Sequence, residues 1–228
     1  MTTSHPIILA LDTSTALCSA ALLMNGEIIE RSQLAPQQQT HYILPMIQEL
    51  LTETSLHLTD ISCLAFGAGP GAFTGLRIAA AITQGIAFAK NIPITPVSTL
   101  AALAQQAFRR YQAIHIMPML DARMKQIYWG SYQVSSEKIA AAIIEDQLNY
   151  PEQIDPAILT STPWFGIGNG WPLYQPVLPN KPLLRIAQID PEAYPLASDI
   201  ALLGVHYFQQ GKIYSAKEAI PVYLRNPV

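Results

Sequence analysis

Two aspartates and one cluster of glycines are the residues of this 228-residue chain best placed to do chemistry. Asp12 ends the apolar run 7–11, and Asp121 ends the apolar run 115–120. A carboxylate at the end of a buried strand can hold a metal-bound phosphate or orient a water. It can equally cap the next turn by accepting from backbone N–H groups. Gly67-Ala-Gly-Pro-Gly71 joins the apolar run 61–66 to a helical pattern over 72–89. Glycines there let backbone approach a ligand, and a helix N-terminus offers free N–H groups to an anion. The alternative is a tight strand-to-helix turn with no ligand. No Gly-Lys-Ser/Thr follows, so the stretch is not a Walker loop. Asp12, Gly69, Gly71, Asp121 and Arg123 are therefore the candidate nucleotide or phosphate residues. Arg123 can pair with a phosphate or a partner carboxylate, or stand in solvent at a turn.

Other chemistries lack their parts. His5, His41, His57, His115 and His206 form no pair four apart and no His-Glu-x-x-His motif, so no metal site is expected. There is no Gly-x-Ser-x-Gly elbow for a hydrolase nucleophile. Cys18 and Cys63 both lie in apolar runs and read as buried thiols of a reducing compartment. The residues thus offer a possible phosphate cradle and two acids, without a nucleophile or a metal cage.

The elements that must position these residues repeat. Residues 7–11 predict a buried strand and 18–24 a second one. Asn25-Gly26 predicts a tight hairpin and 27–31 its return strand. Later, strand 115–120 ends in Asp121, followed by a short turn and a strand-like stretch over 126–133. The same device twice, half a chain apart, predicts a duplicated α/β chain with two lobes facing a cleft, residues 1–105 and 106–228. Strands over 61–66, 94–97 and 164–167 and helices over 98–110 and 198–210 complete the pattern. The chain from Tyr150 is Pro-rich, and 220–227 reads as extended. Helix 40–54 carries Pro45, which predicts a bend or a later start. Helix 72–89 is apolar nearly all round, which predicts burial on both sides. One side can cover a sheet; the other can meet a second subunit or be buried within the same chain. The expected partner surface is Ile43, Leu44, Ile47 and Leu51 of the first helix with Gly75, Ile78, Ala79, Ile82 and Ile86 of the second.

Half the residues are apolar and only 13% are charged, which fits a globular chain with a large core. A net charge of −3 excludes a broad basic face for nucleic acid. No basic segment followed by a long apolar run opens the sequence, and helix 72–89 is broken by Arg77, Thr83 and Gln84. Neither a secretory signal nor a membrane span is expected, and the chain reads as cytoplasmic.

Six stretches together resemble the TsaB (YeaZ) family: Leu9-Ala-Leu-Asp-Thr-Ser14, Thr40-His-Tyr-Ile-Leu-Pro-Met-Ile47, Gly69-Pro-Gly-Ala-Phe-Thr-Gly-Leu-Arg77, Pro96-Val-Ser-Thr-Leu100, Asp121-Ala-Arg-Met124 with Tyr128-Trp129, and Pro221-Val-Tyr-Leu-Arg-Asn226. They span residues 7–226. The resemblance implies an actin-like fold of the acetate kinase, sugar kinase, Hsp70 and actin superfamily, with ribonuclease H-like lobes. It implies a part in making threonylcarbamoyladenosine in tRNA, at the adenosine next to the anticodon. In that family the chain is not the transferase; it joins a paralogous catalytic subunit, TsaD, and an ATPase, TsaE, and meets tRNA through that complex. In TsaD the segment after the match to Pro96-Val97 supplies metal-binding histidines. The matching positions here are Thr99 and Leu103, and leucine cannot ligate a metal. The family's association surface uses the two helices 40–54 and 72–89, and a homodimer through them is open to the chain when its partner is absent. Arg123 matches an arginine near a nucleotide at the partner interface, so ATP or ADP there is the one cofactor implied, with none required by this chain itself. The rival readings are a sugar-kinase-like phosphotransferase using Asp12 and Asp121, and a metallopeptidase.

Overall fold

Strand β1 (Ile8–Asp12) is buried along its whole length, with strands paired on both of its edges and helices packed against it. The computed structural model describes residues 5–154, 163–177 and 185–225. β1 pairs antiparallel with β2 (Leu17–Met24), which pairs antiparallel with β3 (Glu27–Leu34). Its other edge pairs parallel with β4 (Cys63–Gly69), and β4 with β5 (Ile94–Ser98). The sheet order is β3-β2-β1-β4-β5. Asn25 and Gly26 both have positive φ, as the expected hairpin requires.

A second sheet repeats the plan. β6 (His115–Asp121), β7 (Ile127–Val134) and β8 (Ala140–Asn149) form an antiparallel meander, while β9 (Trp164–Ile167) and β10 (Ile186–Asp190) run parallel to β6. The order β10-β9-β6-β7-β8 is the first sheet's order with each strand replaced by its counterpart. The duplication read from two aspartates thus extends to every strand. β8 was not expected, because Ala140-Ala-Ala carries no period-two alternation.

The chain forms two compact units, residues 1–99 with 195–222, and 100–194 with 223–228. This differs from the expected division at residue 105. Helix α5 (Ala197–Gln209) packs on β1, β2, β4 and β5 of the first sheet. Ser19 Oγ accepts the Ala197 N–H at 3.0 Å, and Glu30 Oε1 accepts the Ser198 N–H at 2.9 Å. A Cβ on Gly204 would lie 2.6 Å from that of Ala65, so glycine is what lets the helix reach the sheet. Helix α3 (Thr99–Tyr111) belongs, from Leu100 on, with the second unit, where Gln105 bonds the Lys138 carbonyl and the Ala140 N–H of β8.

Helices α1 (Gln39–Thr54) and α2 (Phe73–Lys90) cover the first unit with α5. α1 buries Ile43, Met46, Ile47, Leu50 and Leu51, one stripe at helical spacing. Each fully buried Leu or Ile contributes about 1.5–3 kcal/mol. The helix starts at Gln39 and runs through Pro45, which faces solvent, so the later start expected from that proline does not occur. Cys18 and Cys63 are buried free thiols, both pushed up to about 12 chiefly by burial. Among the described residues no helix is long and apolar enough to cross a membrane. The expected extended end at 220–227 is described only as far as Arg225; the rest lies outside the described residues.

Candidate functional site

Asp12 is fully buried at the end of β1. Its Oδ1 accepts from the Ser14 N–H at 3.1 Å and from the Ser14 hydroxyl at 2.9 Å. Its Oδ2 has no hydrogen-bond partner and rests on Gly67, where a Cβ would lie 1.8 Å away. Burial pushes the carboxyl up from 3.8 to about 7, against a smaller lowering by the two Ser14 bonds.

The glycine turn beside it is filled by the chain's own backbone. A Cβ on Gly71 would stand 2.7 Å from the Ser14 carbonyl, and one on Gly75 only 1.9 Å from the Thr13 carbonyl. Gly69 has φ +118°, and its Cβ would meet the Val222 carbonyl at 2.7 Å. Three bonds lock the arrangement: Ala72 N–H to Ser14 O, Thr13 hydroxyl to Gly75 O, and Val222 N–H to Ala68 O, each 2.7 Å. The N–H of Ala72, which precedes the first turn of α2, is thus already given to Ser14. Gly75 was expected on a partner surface; it is buried, and what it admits is Thr13. Gly75→Ala is expected to cost roughly 3 kcal/mol or more, since a carbonyl cannot swing aside as a side-chain end can. Urea unfolding of the variant checks this.

The second aspartate is engaged in its own turn. Asp121 Oδ1 accepts the Arg123 N–H at 2.8 Å, and Oδ2 lies 3.3 Å from the Arg123 guanidinium. The Asp121 N–H donates to Asn169 Oδ1 at 3.1 Å. Arg123, Met124 and Lys125 follow one another with φ of 61°, 53° and 60°. Left-handed backbone costs a non-glycine residue about 1 kcal/mol, so three in a row need outside support. The turn is closed by Ala122 N–H to Gln126 O at 3.0 Å and Gln126 N–H to Arg123 O at 2.9 Å. The Arg123 side chain is 86% exposed.

Thr99 and Leu103 are both fully buried. The Thr99 hydroxyl donates to the Pro70 carbonyl. Leu103 packs on Gly168, whose Cβ would lie 3.3 Å from its Cδ1. Among the described residues, no three His, Cys, Asp or Glu side chains are grouped so as to hold a metal.

The helical face differs from its expected composition. Ile43, Ile47, Leu51 and Ala79 are buried in the core of the first unit, as Gly75 is in its turn. Ile78, Ile82 and Ile86 are half-buried and pack on that core. Of the expected surface only Leu44 is well exposed, at 53%. The solvent side of α2 is instead Thr74, Arg77, Ala81, Gly85 and Phe88, with Phe73 beneath the Arg77 guanidinium at 3.7 Å. Phe88 is 80% exposed, and a Cβ on Gly85 would meet nothing within 4 Å. The physical reason is the register of a 3.6-residue helix. Arg77 marks the wet side, and Ala81 and Gly85 follow it at four-residue steps. That signal was legible; the larger isoleucines drew attention to the flanks.

A family model described as TsaD, tRNA N6-adenosine threonylcarbamoyltransferase, matches residues 30–227. The tRNA threonylcarbamoyladenosine biosynthesis protein TsaB of Escherichia coli is 37% identical over 223 residues, covering 97% of this chain and 95% of that protein. The TsaB protein of Haemophilus influenzae is 40% identical over 230 residues, covering 97% and 94%. The chain belongs to the TsaB (YeaZ) family. Its fold agrees: the solved structure of YeaZ from Pseudomonas aeruginosa superposes with a TM-score of 0.90 at 37% identity, covering 96% of this chain and all of that one. The actin-like, duplicated α/β architecture is therefore that of TsaB proteins.

Four residues of the quoted family stretches have roles that the sequence did not assign. Thr13, Ser14 and Val222 fill the glycine turn, and Arg225 braces the second one. No periodicity marks those roles, because they depend on contacts between segments far apart along the chain.

Proposed function

We propose that this chain is a non-catalytic subunit in the synthesis of threonylcarbamoyladenosine in tRNA, acting as scaffold and activator for a TsaD-type catalytic subunit together with a TsaE-type ATPase. The observation that carries this is the pair Thr99 and Leu103. Where the catalytic paralogue has metal-binding histidines, these side chains are buried, one bonded to a carbonyl and one hydrocarbon. Neither acid compensates. Asp121 has both oxygens on Arg123, and Asp12 sits against a turn whose open space the chain itself occupies. That arrangement does not favour the phosphotransferase reading.

The outer face of α1 and α2 supports the partner role. Leu44, Ala81, Gly85 and Phe88 leave apolar surface uncovered, and small residues permit close helix approach. The TsaD-type subunit is the proposed occupant, and a second copy of this chain the occupant when that subunit is absent. Arg123 is the proposed contact for an anion, a nucleotide phosphate or a partner carboxylate.

Reconstitution with purified TsaD-type and TsaE-type subunits, tRNA, ATP and supplied threonylcarbamoyl adenylate as the group donor tests this. Modified adenosine is expected only when this chain is added, and the chain alone is expected to bind no stoichiometric metal. Full modification without it overturns the proposal, as does metal-dependent turnover by this chain alone.

A further inference from the structure

Three adjacent residues with positive φ, none of them glycine, need something to hold them, and one side chain from far along the sequence does so. Arg225 reaches the turn after β6 with both terminal nitrogens of its guanidinium. One terminal nitrogen lies 3.3 Å from Met124 Sδ; the other donates to Gln126 Oε1 at 2.6 Å and to the Arg123 carbonyl at 3.5 Å. These contacts reach the first two residues of the left-handed stretch and the residue that follows it. The planar fork of arginine can serve several acceptors together, which a lysine point charge cannot. The Arg123 carbonyl also accepts the Gln126 N–H that closes the turn, so Arg225 and the turn share an acceptor.

We propose that Arg225 is a positioning residue: it holds Arg123, Met124 and Lys125 in their left-handed form and thereby fixes the exposed Arg123 guanidinium for the anion it meets in the complex. This rests on the reading of Arg123 given above. With the clamp released, the three residues relax toward ordinary backbone angles. Asp121 then loses its paired grip on Arg123, and the guanidinium samples many directions rather than one.

The test uses the full chain. Backbone carbon shifts of residues 123–125 and exchange of the Gln126 amide report the turn, and titration with the TsaD-type subunit, with and without MgATP, reports its use. In Arg225→Ala the shifts are expected to leave the left-handed range, and the Gln126 amide to exchange at least roughly tenfold faster. Amides of β1 should be unchanged, which separates release of the turn from general unfolding. Affinity is expected to fall as far as in Arg123→Ala. The fall appears only with MgATP if the anion is a nucleotide phosphate, and in both conditions if it is a partner carboxylate. Adding Met124→Gly and Lys125→Gly to Arg225→Ala is expected to recover left-handed shifts and most of the affinity, since glycine takes positive φ without strain. Left-handed shifts that persist in Arg225→Ala overturn the proposal, as does a triple variant no better than Arg225→Ala. An Arg123→Ala chain that binds as well as wild type overturns instead the reading of Arg123 as an anion contact, whatever the turn does.

Discussion

A chain carrying Ala81→Glu is expected to fold with unchanged thermal stability and to bind the TsaD-type subunit about two orders of magnitude more weakly. Ala81 is exposed in the middle of α2, on the same side as Arg77, Gly85 and Phe88. In the free chain the new carboxylate stands in water, near Arg77 at four-residue spacing, and costs little. In a helix interface it is buried without a partner, and the glutamate stem prevents the close approach that alanine permits. Thermal unfolding and a titration with the partner separate the two effects. Unchanged affinity removes α2 from the interface. Ile78→Asp and Ile82→Asp, the substitutions favoured by helical pattern alone, are poorer probes. Both residues pack on the core of the first unit, so a buried charge there weakens the fold and the binding together.

Asp12→Asn is expected to remove a pH dependence of stability. The carboxyl titrates near 3.8 when unfolded and is pushed up to about 7 when buried. Between those values the folded chain holds a proton that the unfolded chain has lost, so stability falls as pH rises through this window. Below about pH 4 both states are protonated and nothing is lost; above about pH 7 the loss is complete, at most about 4 kcal/mol. Asparagine has no proton to release. Its amide can still present an oxygen to the Ser14 N–H and hydroxyl, while its NH₂ faces Gly67 unpaired at a cost of about 1 kcal/mol. The variant is therefore expected to be slightly less stable than wild type near pH 4 and more stable by a few kcal/mol near pH 8. Denaturant unfolding across this range measures the difference. Parallel curves would mean that Asp12 titrates in the folded chain as it does in the unfolded one.

The strands that end in Asp12 and Asp121, the hairpin at Asn25-Gly26 and the duplicated plan were all legible in the sequence. Each depends on neighbours within a few residues: an apolar run, two residues able to take positive φ, an aspartate closing a strand. Family membership was legible for a related reason, since six short stretches kept their order along nearly the whole chain. What tertiary structure alone decided is where the glycines and the helix faces are spent. Gly67 and Gly71 read as a phosphate cradle or a turn, and Gly75 as part of a partner surface, until Asp12, Ser14 and Thr13 were found in the space they leave. The isoleucines of α2 read as an interface until packing on the core turned their side inward and left Ala81, Gly85 and Phe88 outside. Helix α5 joined the first sheet although it follows the second in sequence. Close approach and burial are set by segments distant along the chain, and local pattern carries no record of which segment will arrive.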